Sequence, residues 1–193
     1  MTGSSLPAAY FDGIFASDED PWNLASSEYE AAKFAHTHDV LSDRRYVHAL
    51  EVGCAHGVLT SHLARLCDQL LAIDISTNAL AKAHERIGDR PGVALARMAF
   101  PKEAPDDQPF DLIVLSEVAY YWDLVDLDCA SEWLRNKVRS GGRVILVHYT
   151  GKTDYPHSGD DAVEILWSAL DASFEIEQTE RRDTYRLDLW KRR

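Results

Sequence analysis

Between Val47 and Trp190 the chain switches repeatedly between apolar runs of strand length and stretches whose apolar residues recur every three or four positions. This alternation admits few folds, because strands separated by helices assemble into a parallel sheet wrapped on both faces. "VHALEV" reads as the first strand and "GVLTSHLARLC" as its helix, with Leu59, Leu63 and Leu66 on one face. "QLLAIDI" is the second strand. Ser76 then offers an N-cap for "TNALAKAHERI" and Gly88 a stop. "GVALARM", "FDLIVLS", "GRVILVHYT", "FEIEQTE" and "TYRLDLW" supply five further strands, and "LVDLDCASEWLRNKV" and "GDDAVEILWSALDA" the later helices. Between the third and fourth strands Pro101, Pro105 and Pro109 forbid a regular helix, so a loop is expected.

Ahead of the first strand, "PAAYFDGIFA" predicts a short helix, "SDEDPWN" an acidic hinge and "ASSEYEAAKFAHTHDVL" a longer helix. Residues 1–43 are expected to form a helical lid region and 44–193 the core of a single domain. With 20 basic against 32 acidic residues the net charge is −12. That charge repels phosphate backbones and anionic lipid, and steers in a cationic small molecule. Cys54, Cys67 and Cys129 form neither a metal-ligand pattern nor an even disulfide framework, so reduced thiols are expected. The sequence opens without a secretory signal and has no apolar window of membrane-spanning length. A cytoplasmic protein, monomeric or weakly dimeric, with no nucleic-acid or membrane partner, is the expectation.

The stretch "ALEVGCAHGVLT" runs from strand through a glycine turn straight into a helix, which aims backbone N–H groups at whatever lies above the sheet. Gly53 and Gly57 allow close backbone approach, and Cys54 and Ala55 are small. Asp74 ends the second strand about 20 positions beyond Gly53, the place from which a carboxylate bonds ribose hydroxyls. A dinucleotide turn needs three glycines to seat a pyrophosphate, but positions 55 and 58 are Ala55 and Val58, and Glu51 would repel phosphate. S-adenosylmethionine has no phosphate and carries an amine and a sulfonium, for which Glu51 is useful.

On "EVGCAHG" the sequence resembles the class I S-adenosylmethionine-dependent methyltransferases. "DPW" at Asp20–Trp22, "YEAAKF" at Tyr29–Phe34, "LEVGCAHGVLT", "FDLIVLSEVAYYW" at Phe110–Trp122 and "DYPHSGDD" at Asp154–Asp161 narrow the resemblance to the nodulation-protein-S-like methyltransferases. The resemblance implies an amine acceptor, such as an amino sugar or an oligosaccharide that carries one. It also implies roles: Glu51 for the cofactor amine, Gly53, Cys54 and Ala55 for its methionine portion, and Asp74 with Ile75 for ribose and adenine. Met98 and Ala99 fall at the adenine edge, where many such enzymes have aspartate. Backbone atoms, or Asp106 or Asp107 from the proline loop, would have to substitute.

Methyl transfer mainly requires an acceptor lone pair held in line with the sulfonium, and an amine acceptor must also lose a proton. Glu117, just after the fourth strand and Ser116, is a candidate for orienting a cationic acceptor, and Ser116 is assigned to the cofactor. Tyr120 and Tyr121 are expected to flank the transferring methyl or the sulfonium by cation–π attraction, with Tyr121 also a candidate for the acceptor, or else only to pack the start of the next helix. His148, ending the fifth strand, is the candidate general base, with a satisfied core histidine as the alternative. Tyr155 and His157 are candidates for the acceptor pocket. Trp22 and Lys33 suggest a lid over the cofactor, with Lys33 on its carboxylate; the plainer reading leaves Lys33 in water. His56 is expected to face the surface. His36 and His38 point to different helix faces, and no metal is expected.

The expectation is therefore an α/β Rossmann-like sheet of seven mainly parallel strands, the last antiparallel, that transfers methyl from S-adenosylmethionine to a small-molecule amine and releases S-adenosylhomocysteine. Methylation of a hydroxyl, a non-catalytic S-adenosylmethionine-binding protein and, more distantly, a nicotinamide dehydrogenase are the alternatives.

Overall fold

The structure, a computed structural model, describes residues 3–106 and 108–193. Its strands form one seven-stranded sheet in the order β3-β2-β1-β4-β5-β7-β6. The chain packs into two compact units, Pro7–Met98, and Ala99–Arg193 with the residues up to Leu6.

The first unit contains α1 (Ala8–Ser17), α2 (Glu28–Leu41), β1 (Tyr46–Val52), α3 (Val58–Leu63), β2 (Cys67–Asp74), α4 (Thr77–Ile87) and β3 (Val93–Arg97). β1 pairs parallel with β2, and β2 parallel with β3. Ser76 caps α4 by accepting from Ala79 N–H, and Ala79, Leu80 and Ala83 form its buried face. The acidic hinge is a 3₁₀ turn, Pro21–Asn23.

The second unit contains β4 (Phe110–Ser116), α5 (Leu124–Lys137), β5 (Val138–Tyr149), α6 (Gly159–Leu170), β6 (Phe174–Arg181) and β7 (Tyr185–Arg192). β4 is buried along almost its whole length, as a strand covered on both faces must be. β4 and β5 are parallel; β7 is antiparallel to both of its neighbours, β5 and β6. Asp123 and Ser158 cap α5 and α6, whose apolar residues Leu127, Ala130, Leu134 and Ala162, Leu166, Leu170 are buried at helical spacing. The described residues of the proline segment form no regular helix.

Two boundaries differ most from expectation. α3 ends at Leu63, because a tight turn (Leu66 N–H to Leu63 O, 2.8 Å) lets Cys67 pair with Tyr46 at the start of β2. β5 starts at Val138 instead of Gly142: Val138 pairs with Phe110, and the register shifts before Leu112 meets Arg143. No helix among the described residues is long and apolar enough to cross a membrane.

Candidate functional site

In the first unit the glycine turn leaves β1 with Gly53 N–H and Cys54 N–H both bonded to Ile73 O of β2 (2.8 and 3.0 Å). Gly53, Ala55 and Gly57 have φ of 74°, 49° and 79°, so the backbone passes three times through the left-handed region. A Cβ on Gly57 would press on Ile87 Cγ1 at 3.3 Å and Ala83 Cβ at 3.4 Å, so this position also sets how closely α4 approaches. Ala55, where the family pattern has glycine, is held by Asp74: its N–H donates to Asp74 Oδ2 at 2.8 Å. Asp74 Oδ1 accepts from Ser76 N–H, also at 2.8 Å. Each carboxylate oxygen keeps acceptor capacity for a further donor, so the fixed Asp74 can still receive a ribose hydroxyl.

Glu51 is 2% exposed and accepts from the Thr60 hydroxyl at 2.6 Å. Burial pushes its carboxyl up to about 7, opposed by the Thr60 bond and reinforced by the charge of Asp74. Burial likewise pushes Asp74 up to about 6, against three backbone N–H donors. Two desolvated carboxylates beside one turn repel each other and gain from a cation, and this donor set fits a cationic nucleoside. Burial and both carboxylates drive the Cys54 thiol well above its usual range, so it stays a protonated thiol. Ile75 is half-buried after β2, and Met98 N–H donates to Asp74 O at 3.0 Å.

The N-terminal segment is tied down within this unit. His56, 2% exposed, is not the surface residue expected: Nε2 lies 3.0 Å from Asp20 Oδ1, and the ring stands edge-on to Phe15. Asp20 also accepts from Ala25 N–H and the Ser26 hydroxyl. The turn so fixed holds Trp22 and Asn23 at φ 58° and 56°, with the indole 41% exposed and edge-on to Phe15. Lys33 is buried, not in water, and bonds Glu30 at 3.0 Å over the Tyr29 ring. Asp12 of α1 accepts from the Ser76 hydroxyl at 2.6 Å. Asp12, Asp20 and Thr60 escaped the sequence reading as site residues. Asp20 stands in the quoted "DPW"; the partners of Asp12 and Thr60 carry no local signal.

In the second unit Ser116 is half-buried at the end of β4, and Glu117 follows at φ 58°. A glutamate in the left-handed region is strained and is kept there by its surroundings. Here Glu117 N–H donates to Val147 O (2.8 Å), while Glu117 Oε2 accepts from the Tyr120 hydroxyl (2.6 Å) and Tyr149 N–H (2.9 Å). Tyr120, Tyr121 and Tyr155 form a three-ring cluster: Tyr120 stacks on Tyr155 at 5.2 Å, and Tyr121 stands edge-on to both at 4.6 Å. Burial raises the Tyr120 and Tyr121 phenols well above their usual range, so both are hydroxyl donors. His157 is buried and its N–H donates to Tyr120 O at 3.3 Å.

His148 has zero exposure, and its Nε2 accepts from Ala119 N–H at 3.1 Å. The lone pair that a general base needs on Nε2 is engaged, and the ring stands edge-on to Tyr120 at 5.4 Å. Ala99 N–H donates to Glu103 Oε2 at 2.9 Å. Asp106 pairs with Lys137 and does not reach back; Asp107 lies outside the described residues. No group of three metal-ligating side chains occurs among the described residues.

Residues 15–151 match the model of a family described as nodulation protein S. The nodulation protein S of Bradyrhizobium diazoefficiens is 34% identical over 122 residues, which is 62% of this chain and 56% of that protein. The chain spans about half the length of the curated relatives it matches. Among solved structures, it is similar to the N-methyltransferase NodS from Bradyrhizobium japonicum WM9 in complex with S-adenosyl-L-homocysteine. That likeness has a TM-score of 0.82 over 96% of this chain and 97% of that one; at 20% identity it shows the fold. A putative methyltransferase from Pseudomonas syringae is 31% identical, with a TM-score of 0.74 over 86% of this chain and all of that one.

Proposed function

Because the chain belongs to the nodulation protein S family, we propose that it is an S-adenosylmethionine-dependent methyltransferase whose acceptor is the amine of a small molecule, in the first instance an amino sugar. The observation that carries this reading is the buried carboxylate pair, Glu51 and Asp74, set against the left-handed turn from Gly53 to Gly57. The N-methyltransferase name of the Bradyrhizobium japonicum relative supports nitrogen over oxygen as the acceptor atom.

When bound, the cofactor supplies a methyl group on a sulfonium that already carries the driving force for displacement. Glu51, ionised, meets the cofactor ammonium. Asp74 receives the ribose hydroxyls while it clamps Ala55 N–H, so ribose recognition and turn geometry share one side chain. Within the first unit Gly53, Cys54 and Ala55 would line the methionine portion, and Ile75 and Met98 the nucleoside; Trp22 and Lys33 belong to the segment proposed to cover it.

Glu117 would attract the acceptor as its ammonium ion, which must release one proton to solvent or a base before its nitrogen lone pair can take the methyl group. With two donors already on Oε2, it is a better electrostatic anchor than a base. Tyr120 fixes that carboxylate, and Tyr121, Tyr155 and His157 shape the acceptor side. His148 holds Ala119 and through it the turn that carries Tyr120. Its part is positioning.

Calorimetric titration with S-adenosylmethionine, followed by detection of S-adenosylhomocysteine across a panel of amines, amino sugars and their hydroxyl counterparts, tests this. Binding with product from amines is expected. Absence of binding heat overturns the reading, and binding without product from any acceptor favours a cofactor-binding protein.

A further inference from the structure

Asp12 lies on α1, more than sixty residues from Asp74, yet the two are joined through Ser76. Asp12 Oδ1 accepts from the Ser76 hydroxyl at 2.6 Å and from Asn78 N–H at 3.4 Å, and Asp12 O accepts from Asn78 Nδ2 at 3.0 Å. The same Ser76 gives its backbone N–H to Asp74 Oδ1 at 2.8 Å and accepts from Ala79 N–H at 3.2 Å. Each polar group of Ser76 near the β2–α4 junction thus has an assigned partner, and Asp12 is the one partner supplied from outside that junction.

We infer that Asp12 is a positioning residue for the cofactor: acting through Ser76, it holds the Asp74 carboxylate in place to accept a ribose hydroxyl, and it sets a second charge beside that carboxylate. The inference rests on the reading of Asp74 as a cofactor ligand. An ordinary helix cap would need only Ser76, whose hydroxyl serves Ala79 without help from α1. Asp12 adds a bond that keeps this hydroxyl from rotating and adds an anion near a second, buried anion. The Ser76 bond holds the Asp12 carboxyl below the usual carboxylate range, so Asp12 is charged wherever Asp74 titrates. The groups facing Asp74 are Asp12 from α1, Glu51 from β1 and the Cys54 thiol of the turn; Arg97 of β3 faces Asp12. Removing the Asp12 charge eases ionisation of Asp74 and moves its midpoint to lower pH.

Wild type, Asp12→Ala and Asp12→Asn are titrated with S-adenosylhomocysteine from pH 5.5 to 8, with a thermal melt of each as the folding control. Asp12→Ala should weaken binding about tenfold at pH 8, the loss of one well-placed bond. Asp12→Asn, which keeps an oxygen for Ser76 but not the charge, should lie within about threefold of wild type at pH 8 and lose less affinity than wild type on going to pH 5.5. Variants that keep the wild-type dissociation constant and the wild-type pH profile overturn the inference. So does an Asp12→Asn profile that parallels wild type, which would leave Asp12 a structural cap. Wild type that binds no S-adenosylhomocysteine overturns the reading of Asp74 itself, and is told apart from the other outcomes by the first titration.

Discussion

The Thr60 hydroxyl, one turn into α3, donates to Glu51 Oε2 at 2.6 Å and is the one bond opposing the burial that neutralises this carboxyl. Thr60→Val keeps the shape and removes the donor, so Glu51 should hold its proton to higher pH. Cofactor binding at pH 7 should weaken about tenfold and recover partly by pH 8.5, whereas Glu51→Gln should weaken it at every pH. Calorimetry across that range separates the two.

The carboxyls of Glu51 and Asp74 sit at about 7 and about 6 in the folded protein, above their ordinary values of 4.5 and 3.8. Between the ordinary and the folded values the native state binds more protons than the unfolded chain, so the contribution of these groups to stability falls as pH rises. It levels off above about pH 7. The cofactor-free protein should therefore gain about 1–3 kcal/mol at pH 8 from Glu51→Gln, with little gain at pH 4.5. Urea unfolding at the two pH values measures this difference, and equal gains would contradict it.

Glu117 and Tyr120 lie on the acceptor side of the proposed reaction. Glu117→Gln should lower kcat about 10- to 100-fold and Tyr120→Phe about fivefold, with the cofactor dissociation constant unchanged in both. Steady-state rates paired with cofactor titrations check this, and a matching loss of cofactor affinity would move both residues out of that role.

His148→Ala removes the acceptor of a buried backbone N–H and leaves a cavity, which should cost about 2–4 kcal/mol of stability. His148→Asn should recover part of it. If His148 positions and does not take the proton, kcat in the surviving His148→Asn protein should keep the wild-type pH dependence. Loss of an ionisation from the rate profile would restore the base role.

The strands and helices were legible because apolar periodicity is a local property: "FDLIVLS" matches β4 residue for residue, and Ser76 and Gly88 bracket α4 as read. The turn at Gly53 and the carboxylate at Asp74 were legible for the same reason. What escaped depends on contacts between residues far apart in sequence. His56 reads as a loop residue until Asp20 and Phe15 close on it, and Lys33 reads as solvated until Glu30 is seen buried beside it. His148 carries a plausible chemistry at a strand end, and the Ala119 N–H that engages its Nε2 is visible only in the fold. The long reach of β5 back to Val138 follows from a shift of register that no residue pattern announces.

β7 is flanked on both sides although it follows both of its neighbours along the chain. β6 therefore reaches the rest of the sheet only through residues 185–192, with which it pairs as a hairpin. A chain cut before Tyr185 would lose more than a ragged margin: it would leave β5 with an open flank and β6 as an orphan ribbon bearing Ile176, a recipe for sticking to its own copies.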